Sequence, residues 1–264
     1  MSVLEIEKVT KTFVEDHTTV HALDNVSFSI EKDEFVCLVG PSGCGKSTLL
    51  RIIAGLEKAS SGRVLFHGKP ITGPTPNISM IFQLFGLLPW KTALENVEVP
   101  LEVLGKPKDE RVVIAKEHLK MVGLKGFENT YPHDLSGGMK QRVGIARALA
   151  IKPEVLLMDE PFSSLDELTA KTLRELVLSI WRNRETLPDD YLMVSHNVEE
   201  AVYMADRVIV MSPRPGRVIG EVKIEVPRPR TQHLREPIYF GFVDEVVAML
   251  EKGNNDCAIK NHDR

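Results

Sequence analysis

The pattern of hydrophobic and polar positions changes along the chain, from alternation to short continuous runs. VLEIEK (3–8) and VSFSIE (26–31) alternate apolar and polar residues, which predicts half-buried antiparallel strands. Four later segments are almost wholly apolar until a glycine or a polar residue ends them: EFVCLVG (34–40), VLLMDE (155–160), YLMVSH (191–196) and RVIVMS (207–212). Runs of this kind predict parallel strands that are buried on both faces of a sheet.

Helical patterns lie between these runs. KSTLLRIIAGL (46–56) and LTAKTLRELVLSIW (168–181) have the spacing of amphipathic helices, and alternation of strand and helix predicts an open α/β sheet. Residues 86–150 differ, because both of their clear patterns, ERVVIAKEHLKMVGL (110–124) and GGMKQRVGIARALA (137–150), are helical. We therefore predict a helical region inserted into a sheet domain.

The chain is rich in proline after residue 213. GEVKIEV (220–226) predicts a short strand, a last helix is expected near 238–251, and the polar tail from Gly253 is expected to be disordered. PRPRTQHLR (227–235) is the only basic cluster, and such a cluster typically forms a solvated loop.

Composition narrows the possible functions. The chain has 264 residues, of which 43% are hydrophobic and 27% charged, enough for one large domain or two smaller lobes. A net charge of −4 with no basic stripe argues against a nucleic-acid partner. The three cysteines, Cys37, Cys44 and Cys257, do not suggest a disulfide framework. We find no signal peptide and no apolar stretch near the ~18 residues of a membrane span, so a cytosolic protein is expected.

The clearest candidate chemistry is GPSGCGKST (40–48), which fits G-x-x-x-x-G-K-[ST] between an apolar strand and a helix. Glycines allow the backbone N–H groups to surround a phosphate, and the helix N-terminus favours negative charge. Lys46 is expected to reach the β- and γ-phosphates, and the Ser47 hydroxyl to bind Mg²⁺. The alternative is a glycine-rich turn without a ligand. The predicted nucleotide-binding residues of this segment are Gly40, Pro41, Ser42, Gly43, Cys44, Gly45, Lys46, Ser47 and Thr48.

Two acidic residues end the run VLLMDE. Ligands of open α/β sheets bind at the carboxyl ends of the strands, which is where Asp159 and Glu160 are expected. Asp159 can hold Mg²⁺ through water, and Glu160 can act as the general base for an attacking water. Strand-end acids can also simply cap a following helix.

Two further polar residues follow apolar runs. His196 ends YLMVSH and is expected to contact the γ-phosphate, although a histidine here can equally be a structural hydrogen-bonding residue. Gln83 ends the strand-like run ISMIFQ (78–83). Its amide oxygen could bind Mg²⁺ and orient the attacking water, or the residue could be a plain edge residue.

The order of these motifs resembles that of the ATP-binding subunits of ABC transporters over residues 3–212. The motifs are GPSGCGKST, Gln83, LSGGMKQR (135–142), VLLMDEP, SSLD (163–166) and His196. The resemblance implies an α/β fold: a P-loop NTPase (RecA-like) parallel-sheet core with an N-terminal antiparallel β region and an inserted helical subdomain. It places the nucleotide-binding domain at 1–215, with the core at 1–85 and 151–215, the helical subdomain at 86–150, and a C-terminal extension at 216–264.

The resemblance also implies ATP and Mg²⁺ as cofactors and a head-to-tail homodimer that encloses two ATP molecules. Ser136, Gly137 and Gly138 would then bind the partner's γ-phosphate, whereas Ser136 could otherwise be an ordinary N-cap. Phe13 matches the adenine-stacking position, commonly tyrosine, but could instead be a core residue. Asp166 of SSLD is expected to be a nucleotide-site residue. Met139 departs from the usual glutamine, at a position peripheral to the phosphate.

The resemblance implies a transport role in which separate transmembrane permease subunits hold the chain at the cytoplasmic face of the membrane. LLPWKTALENV (87–97) resembles the segment that touches the permease, and MSPRPGRVIGEV (211–222) resembles the importers of nitrate, sulfonates and taurine, which use an extracytoplasmic solute-binding protein. The alternatives are import of another small solute, a soluble ABC-type ATPase that acts on nucleic acid or ribosomes, and a P-loop kinase.

Overall fold

The computed structural model describes residues 2–15, 18–183 and 188–262. Its strands and helices, in chain order, are β1 (Ser2–Glu15), β2 (Thr18–Glu31), β3 (Phe35–Val39), α1 (Lys46–Ile53), β4 (Ser61–Phe66), β5 (Lys69–Pro70), β6 (Ile78–Ile81), α2 (Ala93–Val103), α3 (Lys108–Met121), α4 (Gly137–Leu149), β7 (Val155–Asp159), α5 (Glu167–Arg182), β8 (Asp190–Ser195), α6 (Val198–Met204), β9 (Arg207–Met211), β10 (Val218–Lys223) and α7 (Pro237–His262).

The chain divides into two compact units. Unit 1 combines Met1–Thr75 with Asp190–Arg264, and unit 2 is Pro76–Asp189. Unit 2 contains the helices α2, α3 and α4, which fall inside the segment 86–150 that is predicted to be helical, but it also contains β6, β7 and α5. The exact bounds of a helical subdomain therefore stay a prediction.

The N-terminal β region of unit 1 is an antiparallel sheet with the strand order β2-β1-β4-β5. Its first two strands are each 14 residues long, more than twice the length of the alternating patterns in the sequence. The reason is a set of register shifts, one between Ile6 and Val9, beside Lys8 with a positive φ of 50°. Each shift reverses the face that a side chain occupies, so the alternation stops although the strand continues.

The second sheet of unit 1 contains the parallel strands β9, β3 and β8, with β10 antiparallel to β9. All five residues of β3 and all six of β8 are buried, as the continuous apolar runs predict. In the register, Val39 lies beside Ser195 on one side and Val210 on the other. The segments that follow these three strands therefore begin at one edge of the sheet.

The basic cluster at 227–235 is not the solvated loop that the sequence predicts. Arg230 is 2% exposed, and its guanidinium donates to backbone carbonyls, among them those of Val202 and Ile224. The neighbouring Arg228 donates to the Asp206 carboxylate at 2.8 Å and to the Met204 carbonyl at 2.7 Å. The expectation was wrong because the carbonyls left free at the end of α6 need donors, and this segment supplies them.

The expected disordered tail from Gly253 is corrected as far as His262, because α7 continues to that residue; residues 263–264 of the predicted tail lie outside the described residues. Gly253 is buried against β10, and a Cβ atom there would lie 2.5 Å from Ile219 Cδ1. Glycine inside a helix costs about 1 kcal/mol relative to alanine. Here glycine permits a close contact between α7 and the sheet. Gly253 therefore lies inside the helix, although the sequence suggested that the helix would end there.

Unit 2 contains the parallel pair β6 and β7, in which Ile81 lies beside Met158. Helix α2 is absent from the sequence predictions because Pro100 interrupts its pattern. Its start does carry a sequence signal: Thr92 accepts a hydrogen bond from the Glu95 N–H, and the Glu95 side chain bonds back to the Thr92 N–H. This capping box could have located the helix.

Candidate functional site

The loop between β3 and α1 has the geometry of an anion-binding loop. Gly45 caps α1 in the left-handed region, with φ of 103°, and no side chain caps the helix start. A Cβ atom on Gly45 would lie 2.8 Å from the Ala22 carbonyl oxygen, so this position requires glycine. The first turn of α1 contains no acidic residue. The helix start therefore has no side-chain cap and no acidic residue in its own first turn, which suits phosphate binding.

Lys46 lies at the start of α1 and is only 5% exposed. Its Nζ donates to the carbonyl oxygens of Gly40 at 2.8 Å and Pro41 at 3.0 Å, so the ammonium is held against the loop itself. Cys44 is buried, and burial raises the pKa of its thiol. The thiol therefore remains protonated near neutral pH and adds no negative charge to the loop.

Ser47 and Thr48 are half-buried in the first turn of α1, as the motif predicts. Ser42 and Gly43 form the exposed tip of the loop, and a Cβ atom on Gly43 would approach no backbone atom, only the Arg214 guanidinium at 3.4 Å. The loop at 40–48 thus presents hydroxyl and amide groups together with one lysine.

Two other predicted residues lie in unit 1. Phe13 is half-buried in β1 opposite Val20, and the Lys11 ammonium lies 4.7 Å from the centre of its ring. It is not among the fully buried hydrophobic residues. His196 is exposed and follows Ser195, at the same sheet edge as Gly40. The Ser195 hydroxyl donates to Glu200 of α6 at 2.6 Å.

Unit 2 brings together Gln83 and the two acidic residues. Asp159 ends β7 and is 4% exposed, and Glu160 follows it with φ of 45°, a region that residues other than glycine seldom occupy. The Gln83 Nε2 atom donates to Glu160 Oε2 at 3.4 Å. The Glu160 carbonyl accepts from the Ser163 hydroxyl at 3.0 Å. The backbone at Glu160 is therefore held in a turn that leaves its carboxylate beside an amide.

Ser136 is the N-cap of α4, where its Oγ accepts a hydrogen bond from the Met139 N–H at 3.3 Å. Ser136 and Gly137 are exposed, but Gly138 is buried. A Cβ atom on Gly138 would lie 2.4 Å from Thr169 Cγ2 of α5. Two reasons for glycine thus meet here: an open helix start and a close helix contact that the sequence did not indicate.

Asp166 caps α5 by accepting a hydrogen bond from the Thr169 N–H at 3.0 Å. Hydrogen bonds from the Thr169 side chain and backbone lower the pKa of Asp166, which keeps it ionised at neutral pH. The predicted site residues therefore fall into two groups. Unit 1 contains Phe13, the phosphate loop and His196, and unit 2 contains Gln83, Ser136, Gly137, Gly138, Asp159, Glu160 and Asp166.

Sequence reasoning missed two arginines beside these groups. Arg147 of α4 donates to the carbonyls of Phe85 at 3.1 Å and Gly86 at 2.5 Å, just after Gln83. Burial lowers the pKa of Arg147, but the guanidinium remains protonated at neutral pH. Arg214 donates from Nε to the Gly43 carbonyl at 3.0 Å. None of these contacts has a local sequence signal, since all three acceptors are main-chain atoms far away along the chain.

The comparisons with known proteins agree with this geometry. The ABC transporter family profile matches residues 23–163. The chain belongs to the ABC transporter family. It is 50% identical to an uncharacterised ABC transporter ATP-binding protein of Methanocaldococcus jannaschii and 46% identical to the nitrate import ATP-binding protein of Synechocystis sp., with 94% of each chain covered in both cases. It is 42% identical to an aliphatic sulfonates import ATP-binding protein of Bacillus cereus, over 87% of this chain and 89% of that protein.

A solved structure gives the same result for the fold. A dimeric ATP-binding cassette in a post-hydrolysis state, bound to ADP and Pi, is 35% identical and has a TM-score of 0.75, covering 85% of this chain and all of that chain. The expected P-loop NTPase fold is therefore confirmed. Within residues 2–15, 18–183 and 188–262, no helix has the length and apolar character that crossing a membrane requires.

Proposed function

We propose that the chain binds and hydrolyses ATP to drive an ABC importer for a small anion. The observation that supports this most strongly is the start of α1, where uncapped N–H groups and the buried Lys46 leave a place for a triphosphate. The named relatives that import nitrate and sulfonates support the class of solute, because both solutes are small anions.

The phosphate loop, Gly40 to Thr48, holds the phosphates in this proposal. Lys46 now bonds two loop carbonyls, and it exchanges them for β- and γ-phosphate oxygens when ATP binds, because a charge-assisted bond to phosphate is the stronger one. Phe13, which is half-buried in β1, stacks on the adenine. His196 donates a hydrogen bond to the γ-phosphate.

The residues of unit 2 serve hydrolysis. Glu160 accepts the proton of the attacking water, and Gln83, which already contacts its carboxylate at 3.4 Å, orients that water. Ser136 and the amides of Gly137 and Gly138 act on the γ-phosphate bound by the second subunit of a homodimer, with Asp166 near the same nucleotide site. The dimeric state of the solved cassette supports this assembly.

We also propose Mg²⁺ as the cation of this site. Among the described residues no group of three or more histidine, cysteine and acidic side chains could hold a metal ion by itself. The residues that would hold Mg²⁺ are Ser47, Gln83 and Asp159, whose hydroxyl, amide and carboxylate oxygens are hard ligands of the kind that Mg²⁺ prefers alongside phosphate oxygens. When bound, the ion neutralises negative charge on the phosphates.

The partners in this proposal are transmembrane permease subunits, which hold the chain at the cytoplasmic face of the membrane, and a solute-binding protein that acts through the permease. The exposed side chains of Leu84 and Trp90, in the segment after Gln83, suit a surface that the permease covers. Deletion of the chain in its own cells should lower the uptake of labelled nitrate or sulfonate. Wild-type protein should restore uptake and Lys46→Ala should not; unchanged uptake of every anion tested would argue for another solute or for a role outside transport.

Phosphate release and ATP binding by purified variants test the proposed chemistry. Lys46→Ala loses a charge-assisted contact, which should weaken ATP binding about tenfold or more. Glu160→Gln should still bind ATP, but hydrolysis should fall by about 10²–10⁴ and light scattering should show an ATP-bound dimer. Glu117→Gln, an exposed carboxylate on α3, is the matched control. Hydrolysis by both site variants within about threefold of wild type would contradict the assignment.

A further inference from the structure

The segment that follows β9 turns back against the phosphate loop within unit 1. The Ser212 N–H donates to the Arg217 carbonyl at 2.9 Å, and the Ser212 hydroxyl accepts from the Arg217 N–H at 3.0 Å, which closes a compact turn over residues 212–217. We call this segment the bracing turn. Since Val210 of β9 lies beside Val39 of β3, the bracing turn and the phosphate loop leave the sheet at the same edge.

The bracing turn is fixed to β2 as well as to the loop. The Gly216 N–H donates to the Ala22 carbonyl at 2.9 Å, and the Asp24 N–H donates to the Gly216 carbonyl at 3.0 Å. The Arg217 guanidinium pairs with the Asp24 carboxylate at 2.8 Å. Backbone bonds and an ion pair therefore give the turn one position relative to β2, so that it can act as a fixed support.

Two residues of the bracing turn touch the phosphate loop. The Arg214 Nε atom donates to the Gly43 carbonyl at 3.0 Å. Gly216 lies so close that a Cβ atom on it would be 2.1 Å from the Cys44 carbonyl oxygen. Arg214 is exposed, and in the part of the chain that the structure describes no carboxylate pairs with it. Its contact with the loop is thus its main interaction there.

A phosphate loop needs support of this kind. Its N–H groups converge on one anion, so without ligand their dipoles repel, and the carbonyl of each of those peptides must turn outward to another donor. Lys46 Nζ donates hydrogen bonds to the Gly40 and Pro41 carbonyls. The Gly43 carbonyl accepts a hydrogen bond from Arg214 Nε. Because the peptide is planar, holding the Gly43 carbonyl also fixes the direction of the Cys44 N–H. In this structure that N–H donates to the Pro41 carbonyl at 3.3 Å, a long bond that it exchanges for a stronger charge-assisted bond when phosphate binds.

From these contacts we propose that Arg214 is a positioning residue of the phosphate-binding loop: its Nε–H orients the Gly43–Cys44 peptide for nucleotide binding without touching the nucleotide. This inference rests on the proposed function, since it concerns the loop that binds ATP there. It assigns Arg214 a role that depends on one hydrogen-bond donor at one atom, and not on the positive charge of the side chain.

Three substitutions separate the donor from the charge. Arg214→Gln places an N–H donor, Nε2, at the same position along the side chain as the arginine Nε, but removes the charge. Arg214→Lys keeps the charge and puts a methylene at that position. Arg214→Met keeps neither. Arg63→Met is the matched control, because Arg63 is an exposed arginine of the same unit that pairs with Glu7.

We expect Arg214→Met and Arg214→Lys to weaken the binding of Mg·ATP about three- to tenfold, the effect of one lost hydrogen bond, while Arg214→Gln and Arg63→Met stay close to wild type. ADP binding should fall as much as ATP binding, since the loop holds phosphates common to both. In steady-state hydrolysis KM should rise while kcat stays the same, because the residues proposed for chemistry are untouched. The thermal unfolding midpoint should not change, since Arg214 is exposed.

The possible outcomes are distinct. If Arg214→Lys binds ATP like wild type and Arg214→Gln does not, the charge matters and positioning is wrong. A loss confined to ATP, with ADP unaffected, would mean direct contact with the γ-phosphate and would also overturn the proposal. So would wild-type affinity in Arg214→Met, or equal loss in all three variants. Wild-type protein and Lys46→Ala, assayed alongside, test the proposed function separately. If wild-type protein does not bind ATP, the proposed function fails, and the Arg214 assignment fails with it. If wild-type protein binds ATP and Lys46→Ala does not, a failure of the Arg214 predictions concerns Arg214 alone.

Discussion

The buried guanidinium of Arg230 gives the sharpest stability prediction. It is 2% exposed and donates to five backbone carbonyls, those of Val202, Tyr203, Ala205, Ile224 and Val226. The first three belong to the end of α6, where a helix leaves its last carbonyls without partners and where positive charge is favourable. Arg230→Met keeps most of the side-chain volume and removes all five bonds.

The expected loss follows from these contacts. A buried carbonyl without a partner costs about 1–3 kcal/mol, but the values do not add, and water can reach part of the opened site. We therefore expect Arg230→Met to lower the free energy of unfolding by about 3 kcal/mol, a large share of the ~5–15 kcal/mol that a protein has. Arg230→Lys should be intermediate, since an ammonium has three donors and no planar fork.

Urea unfolding followed by tryptophan fluorescence and circular dichroism measures this loss. Arg235→Ala is the matched control, because Arg235 is an exposed arginine of the same stretch and should shift stability by under about 0.5 kcal/mol. Equal unfolding midpoints for Arg230→Met and wild type, at equal slope, would refute the argument that this arginine completes the end of α6.

Two further predictions concern the nucleotide and the helix contact at Gly138. Phe13→Ala should weaken ATP binding by about 1–3 kcal/mol while Phe13→Tyr should not, as calorimetry can show; equal affinities with the fold intact would mean that the ring does not stack on adenine. Gly138→Ala should destabilise the protein by about 1–3 kcal/mol because its Cβ would lie 2.4 Å from Thr169 Cγ2, and adding Thr169→Ser should recover part of the loss in a melting experiment, whereas additive losses would exclude the clash as the cause.

Local sequence patterns correctly predicted those strands, loops and helices whose own residues are enough to indicate the structure. The run EFVCLVG and the phosphate-loop motif after it correctly predicted β3, the loop and the start of α1. Consecutive apolar residues indicate a strand that is buried on both faces, and the glycines that follow directly indicate the loop. The ends of elements were harder. The register shifts between Ile6 and Val9 erase the alternation in β1, and Gly253 resembles a helix end until Ile219 of β10 is seen against it.

Contacts to main-chain atoms were beyond prediction for a different reason. The donor Arg214 and the acceptor Gly43 are 171 positions apart, and every residue has a carbonyl, so no residue type at the acceptor marks the pair. The same holds for the basic cluster at 227–235, whose composition suits a solvated loop. Only the fold reveals that its central arginine meets the end of a helix.

Three arginines share one physical task near the predicted site residues. Arg147 holds the carbonyls of Phe85 and Gly86 after Gln83, Arg214 holds that of Gly43, and Arg230 holds those at the end of α6, the helix that begins just after His196. Loops that present N–H groups to a ligand, like the last turn of a helix, leave carbonyls without regular partners, so these carbonyls need donors from elsewhere. A guanidinium supplies several N–H groups in a rigid fork and stays charged when buried. Substitutions at these arginines should therefore change how these segments are held, even though none of the three lies in a nucleotide-binding motif.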